Sequence, residues 1–460
     1  MIDWTPVLGN SGKPRYLEIA EAIGAAVAEG ALEPGDRLPP QRRMAERLGI
    51  DFTTVSRAYA EAQARGLIES HVGRGSFVRA RLPAPAISGE AADPRRMREE
   101  DLAMNMPPEP QDPELLGRMK EGLAAVSANL VPLLRYQSAT GSAQDKEAAS
   151  SWLSMRGMVP RLDRIAITPG AHTTMMAIFS TIARPGDKIL CEAITYPGLR
   201  AIAAKLGLSL IGLAMDRDGI TPAALDEAIA QHQPAALYLN PTLHNPTTLT
   251  MPQSRRIEIA ERVIAHRLAL VEDDAYGFIP AQAPAPFATL APDLTWHIGG
   301  LAKCIGAGLR LAFTVAPDAR AAFSLAQALR TLAVMPSPLS AALVTRWIED
   351  GTADSIHRFI RAETVVRQKI ASEVLQGLEF DSDPNAFNIW LKLPPGASRA
   401  EMMGRMAGRH VGLMPSDAFT VSGEADERLR VCLGGAIGHE QLREGLLFMA
   451  GTLSGGGWMG

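Results

Sequence analysis

The chain has 460 residues, enough for two or three domains with cores of their own. Apolar residues make up 47% and charged residues 21%, the balance of a soluble globular protein, and no apolar stretch is long enough to span a bilayer. The formal net charge of −4, with ten Lys/Arg against ten Asp/Glu in residues 1–80, excludes binding to nucleic acid through bulk charge. Contact with DNA would have to come from a local arrangement of arginines. Three widely spaced cysteines, Cys191, Cys304 and Cys432, argue against a disulfide framework or a zinc cluster, so no metal is expected. The start, Met1-Ile2-Asp3-Trp4-Thr5-Pro6, lacks the basic and apolar parts of a signal peptide. A cytoplasmic protein without a membrane partner is expected.

In chain order, the first predicted element is a helix over 14–29. Tyr16, Ile19, Ala20, Ile23, Ala26 and Val27 recur at helical spacing and give it one apolar face. Pro34-Gly35-Asp36 is a turn. Pro40 can start a second helix, since its missing N–H is not needed there, and Gly49 closes it after Leu48. Asp51 is a candidate N-cap for a third helix from Phe52 to Arg65. Short strands around Ile68 and Phe77 flank Gly73-Arg74-Gly75, a hairpin tip. Three helices and a hairpin make a winged helix-turn-helix, although a small helical interaction domain would show the same helix count.

In a helix-turn-helix the second helix of the pair meets base edges while flanking groups hold phosphates. Thr53, Thr54 and Ser56 are short donors suited to a groove, with Arg57 beside them. Arg42 and Arg43 can reach phosphates from the helix before, and Arg74 at the wing tip can reach a minor groove. The string Leu32-Glu33-Pro34-Gly35-Asp36-Arg37-Leu38-Pro39, with Thr53-Thr54-Val55, Arg57-Ala58-Tyr59 and Gly73-Arg74-Gly75-Ser76-Phe77-Val78, resembles the GntR-type winged helix over almost all of residues 14–79. Arg57-Ala58-Tyr59 is the form of its MocR branch. Phe52 and Ser56 depart from relatives that place arginines there, so the base sequence read does not transfer.

Residues 80–102 read as a linker, with Pro83, Pro85 and Pro94 in a run of alanine and charge. From about 103 strands and helices alternate. Ile165–Thr168, Lys188–Cys191, Ala236–Leu239 and Leu268–Glu272 are short apolar runs bounded by turn signals, which predicts an α/β domain with a mostly parallel sheet covered on both faces. A smaller C-terminal α/β unit over 356–453 follows the large one over 103–355. Its clearest strands are Ala386–Leu393 and Leu429–Leu433, and the glycines after Ser454 read as a tail.

Lys303 stands between an apolar stretch and the glycine-rich turn that leads to Arg310. A dehydrated lysine favours its neutral amine and can attack an aldehyde, and Arg310 is a fixed cation suited to phosphate. Aldehyde and phosphate together describe pyridoxal 5'-phosphate. That cofactor also needs a carboxylate at its pyridine nitrogen, donors to its ring oxygen and an aromatic neighbour. Gly170-Ala171-His172 opens a helix after a strand and can cup the phosphate. Asp273 follows a strand, where it can face the ring nitrogen. Asn245 and Tyr276 can reach the ring oxygen, and Tyr196 can stack on the ring. Singly, each has a plainer reading as a cap, a core aromatic or a solvated lysine.

Together, their order and spacing resemble the fold-type I aminotransferases over roughly 105–450. By that resemblance Lys303 carries the internal aldimine, Asp273 pairs with the pyridine nitrogen, Arg310 binds phosphate and Arg430 clamps a substrate carboxylate. Tyr136 would reach the phosphate of a neighbouring subunit, which implies a homodimer. Gly300 and Ala302 replace serines that usually precede the lysine, and Thr248 replaces a glycine. A winged helix followed by such a domain resembles the MocR-type transcriptional regulators. That resemblance implies a head-to-tail homodimer binding operator DNA, with an amino acid or amine effector sensed by external aldimine formation at Lys303. The alternatives are a working aminotransferase with an accessory helix-turn-helix, or a DNA-binding protein that has lost the cofactor.

Overall fold

The computed structural model describes residues 4–6, 14–28, 30–33, 35–64, 67–71, 75–78 and 103–454. The chain divides into two units, Met1–Glu100 and Asp101–Gly460. In the first, helix α1 (Arg15–Ala28) buries Ile19, Ala20, Ile23 and Ala26, the face expected from its spacing. Helix α2 (Gln41–Leu48) ends at Gly49, whose φ of 62° lets its amide turn back onto the Ala45 and Glu46 carbonyls. Pro40 has an extended ψ of 138° and stands just before α2 rather than inside its first turn. Helix α3 (Phe52–Ala64) starts where the Asp51 carboxylate accepts the Thr53 amide at 2.7 Å. Bonds from Thr53 hold that carboxyl below its ordinary range.

Strands β1 (Ile68–His71) and β2 (Gly75–Val78) pair antiparallel, with Ile68 opposite Val78. Ile19, Ile23, Leu38, Met44, Val55 and Tyr59 form the core of this unit. The Tyr59 hydroxyl, 2% exposed with its residue, donates to the Pro39 carbonyl at 2.7 Å, so the burial leaves no unpaired O–H. The expected wing-tip residue Arg74, the whole of the expected linker (80–102) and the terminal glycines lie outside the described residues.

The second unit is built on a seven-stranded sheet. Its strands are β3 (Ile165–Thr168), β4 (Lys188–Glu192), β5 (Ser209–Leu213), β6 (Ala236–Leu239), β7 (Ala269–Asp273), β8 (Thr295–Gly300) and β9 (Ala312–Val315), in the order β3-β9-β8-β7-β6-β4-β5. All pairings are parallel except those of β9, which runs antiparallel to β8 and β3. Every residue of β3, β6, β8 and β9 is buried, as expected of strands covered on both faces. The expected strands at 188 and 268 appear with their ends shifted by one residue. Strands β5, β8 and β9 were not foreseen. β8 carries His297 and ends in two glycines, which breaks the apolar run that marks a buried strand.

A second sheet, β10 (Phe380–Asp381), β11 (Asn388–Lys392), β12 (Leu413–Pro415) and β13 (Arg428–Cys432), is antiparallel throughout in the order β10-β11-β13-β12. A 23-residue helix, Thr352–Val374, joins the two parts of this unit. Its first half packs Ala353, Ile356 and Ile360 into the core of the large sheet, and Ile370 and Ala371 enter the core of the small one. The boundary expected at 355/356 therefore falls inside a continuous helix. Its apolar spacing runs through that point without a break, so local sequence does not mark the transition. Among the described residues, no helix is long and apolar enough to cross a membrane, and no group of three His, Cys, Asp or Glu side chains could hold a metal ion.

Candidate functional site

The ends of β3, β6, β7 and β8 open towards one cavity of about 270 Å³. In an open α/β sheet this carboxyl edge is where loops and helix N-termini converge without competing for ladder hydrogen bonds. Gly170, Ala171, His172, Tyr196, Asn245, Asp273, Tyr276, Lys303, Arg310 and Arg430 all line the cavity. Tyr136 does not. It is 86% exposed, so this chain's own cavity does not use it.

Lys303 sits on the π-helical turn Ala302–Gly306 that follows β8. Burial, then the nearby Arg430 charge, pull its amine down to about 8, so neutral amine is accessible near neutral pH. Its Nζ donates to the Asn105 carbonyl. At the end of β7, Asp273 accepts the Tyr238 hydroxyl on Oδ2 at 2.9 Å. Its other oxygen, Oδ1, is buried and makes no hydrogen bond. Burial pushes this carboxyl up to about 6 despite the tyrosine. A buried, half-satisfied carboxylate facing a cavity is a site for a ligand N–H.

Asn245 and Tyr276 lie side by side in function. The Asn245 side-chain oxygen is taken by Arg430 Nη1 at 2.8 Å, which leaves its amide nitrogen as the group able to donate into the cavity. The Tyr276 hydroxyl accepts from Asn105 at 2.9 Å, so its own proton remains available to a ligand oxygen. Arg430, 3% exposed on β13, also donates from Nη2 to the Ala103 carbonyl, and its Nε is buried without a partner.

The opposite end of the cavity is more open. Helix Ala171–Ile182 begins there behind Gly170, whose φ of 83° is one that side chains rarely adopt. The Arg310 guanidinium lies against Gly170, about where a Cβ would need to be within 3.3 Å of Nη2. Exposed backbone amides at a helix start, with a cation beside them, suit an anion. Partial desolvation and then the Arg310 charge pull the exposed His172 ring below its ordinary pKa. Tyr196 stands at the start of helix Pro197–Leu206, and only a glycine at 198 leaves room for its ring. Gly300 and Ala302 supply no hydroxyl at this end. Thr248, in the loop after Asn245, holds a φ of 63° that glycine adopts more easily.

Residues 100–446, well over half of the chain, match the model described as Aminotransferase class I and II. The chain belongs to that family. Residues 15–78 match the bacterial regulatory proteins of the gntR family, so this aminotransferase-family chain carries a GntR helix-turn-helix ahead of its larger domain. It is 28% identical over 449 residues to YdeF, an uncharacterized HTH-type transcriptional regulator of Bacillus subtilis (strain 168), covering 97% of this chain and 96% of that one. It is also 28% identical over 310 residues to PtsJ, the vitamin B6 salvage pathway transcriptional repressor of Salmonella typhimurium, covering 66% and 68%. Among solved structures, LysN, the alpha-aminoadipate aminotransferase of Thermus thermophilus, shares the fold with a TM-score of 0.69 at 23% identity, over 77% of this chain and 92% of that one.

In this aminotransferase-family site several residues carry weight that sequence reasoning passed over. Tyr238 supports Asp273, and Asn240 ties the Asp273 carbonyl (2.7 Å) to the Asn245 amide (2.8 Å). Asn105 bridges Tyr276 and Asn388, and Asn388 holds the Pro246 carbonyl at 2.8 Å. Asn240 in Leu239-Asn240-Pro241, at a strand end, was the one available signal. Asn105 reaches partners 171 and 283 residues away and has no local signature.

In the first unit, Arg42, Arg43, Thr53 and Arg57 are exposed, while Thr54 and Ser56 are half-buried. The Thr53 hydroxyl is turned onto Asp51 as part of the cap. Arg57 lies 4.3 Å from the centre of the Tyr16 ring, a contact that orients the guanidinium on the α1–α3 surface.

Proposed function

We propose that this chain is a DNA-binding transcriptional regulator of the MocR type, whose larger unit holds pyridoxal 5'-phosphate on Lys303 and responds to an amino compound. The observation that carries the reading is Asp273 Oδ1, buried and unpartnered in the same cavity as a lysine of lowered pKa. A pyridinium N–H answers that oxygen, and the helix start at Ala171 with Arg310 answers a phosphate. When bound, the cofactor supplies an aldehyde carbon that exchanges amines and a ring that withdraws electrons.

The chain's own groups divide the remaining work. Lys303 is the residue that would hold the cofactor, with its neutral amine as the group an incoming amine would replace. Asp273, steadied by Tyr238, keeps a proton on the ring nitrogen. Asn245 and Tyr276 hold the ring oxygen, and Tyr196 flanks the ring. Arg430 takes the effector's carboxylate where there is one. Thr54 and Ser56 on α3 face base edges, with Arg42, Arg43, Arg57 and Arg74 on phosphates. A homodimer, with Tyr136 serving the neighbouring subunit, would pass a change at the cavity to paired winged helices. A coupling of about 1–3 kcal/mol shifts operator affinity roughly 5- to 150-fold. The names of YdeF and PtsJ support the regulatory half of this reading.

The test is a band shift on the upstream intergenic DNA, with and without candidate amino acids and amines. Lys303→Ala should keep DNA binding and lose the amine response. A full response in that variant would refute sensing through Lys303. A second reading, a working aminotransferase, draws on the convergence of Lys303, Asp273 and Arg430 in one cavity. Sustained turnover of an amino donor with a keto acid would favour it over the regulator.

A further inference from the structure

The first described stretch of the larger unit crosses its own cavity. Met104, Asn105 and Met106 line the space that Lys303 and Arg430 face. At the far end of this strap, the Pro107 carbonyl accepts the Gly435 amide at 3.2 Å, and a Cβ at Gly434 would overlap the Met106 carbonyl. In its middle, Asn105 is 4% exposed and bonds to Tyr276 at 2.9 Å and Asn388 at 3.0 Å. At its near end, the Ala103 carbonyl accepts from Arg430 Nη2 and lies 3.8 Å from Cys432 Sγ. The strap therefore touches the amine end of the site through Asn105 and the carboxylate end through Ala103.

The Arg430 fork explains why this matters. Nη1 is committed to Asn245, while Nη2 holds the Ala103 carbonyl and Nε has no partner. Nε and Nη2 form one edge of the guanidinium, and a carboxylate can accept from both at once. The carbonyl satisfies one donor without a charge. A carboxylate satisfies both with one, in charge-assisted bonds roughly twice as strong.

We propose that residues 103–106 are a built-in competitor for the effector: the Ala103 carbonyl holds the edge of Arg430 that a ligand's carboxylate takes, so an α-amino carboxylate releases the strap and a plain amine does not. The proposal rests on the reading of Lys303 and Arg430 given above and adds a ligand class to it. Amine exchange alone occupies Lys303. Release of the strap requires the carboxylate. Ala103 is the third residue of its unit, immediately after the segment that leads back to the helix-turn-helix, so release frees the chain at that junction.

The test uses the full chain loaded with pyridoxal phosphate and two probes that differ by one carboxylate, L-norvaline and n-butylamine. Each is read by the visible band, which reports amine exchange at Lys303, and by hydrogen exchange at the amides of residues 103–106 and Gly435. Both probes should shift the band, and only L-norvaline should speed exchange. Shifted bands with unchanged exchange, or equal acceleration by both probes, overturn the strap and leave the reading of Lys303 intact. No band shift with either probe overturns that reading, and the strap then stands or falls on a third arm. In that arm pentanoate, which has no amine, is added to the protein as purified and should speed exchange at the same amides saturably. Asn105→Ala, which cuts the strap from Tyr276 and Asn388, should tighten pentanoate binding roughly 5-fold, at the low end of ordinary coupling. Weaker or unchanged pentanoate binding in a variant with the normal melting temperature means the strap is a wall of the site, not a competitor.

Discussion

The two ends of the cavity are built differently. Asp273, Asn245 and Arg430, at the ring and carboxylate end, are each less than a tenth exposed; Tyr238 and Asn240 hold Asp273, Asn240 also holds Asn245, and Asn245 and the Ala103 carbonyl hold Arg430. At the phosphate end His172 and Arg310 are exposed, and Gly300 and Ala302 contribute no side-chain donor. Buried polar networks fix geometry, because every broken bond strands a partner away from water. An exposed arginine and a helix start attract an anion without fixing it as firmly. On the proposed reading, the ring and the ligand's carboxylate would be positioned more tightly than the phosphate would be gripped. Such a division suits a protein that reads a ligand more than one that must retain its cofactor through many turnovers.

The largest expected effect breaks the rigid end. Arg430→Ala should weaken an α-amino carboxylate effector by about 2–3 kcal/mol, the size of a lost charged hydrogen bond, while cofactor loading persists. Isothermal titration with the loaded protein measures it, and an equal loss of cofactor binding would place Arg430 in the general architecture instead. Next, Tyr238→Phe should cost about 1.5 kcal/mol of cofactor affinity. Burial already raises Asp273 to about 6, and the lost donor raises it further. The carboxylate form favours the cofactor, so the deficit should grow as pH falls towards 6. A deficit independent of pH would mean that Tyr238 acts through packing. The smallest effect sharpens the weak end. A Cβ at Gly300 meets nothing nearer than the Ala275 Cα at 3.6 Å, so Gly300→Ser fits and should tighten the cofactor by about 1 kcal/mol. An unchanged affinity would show that missing hydroxyls do not limit grip there.

Much of this was legible because it is local. Gly49 in the left-handed region and the Asp51 cap follow from residue type and position, and so do Lys303 between an apolar stretch and a glycine-rich turn and Asp273 at a strand's end. The GntR and aminotransferase resemblances drew on such local strings. Strand β8 was hidden by His297 and its paired glycines, although it is the strand that delivers Lys303. Tyr238 looked like one more apolar strand residue, and its hydroxyl gains meaning only beside Asp273 on the neighbouring strand. Asn105 and the strap are set by contacts across hundreds of residues, and no periodicity or cap announces them. Thr248 marked a departure from its family in sequence, and the structure shows the positive φ that makes glycine the easier residue there.

The most direct measurement is covalent mapping. Reduction of the protein with borohydride after incubation with pyridoxal phosphate, followed by peptide mass spectrometry, should place a single phosphopyridoxyl group on Lys303. A label on other lysines with Lys303 unmodified, or no label at all, would contradict the account.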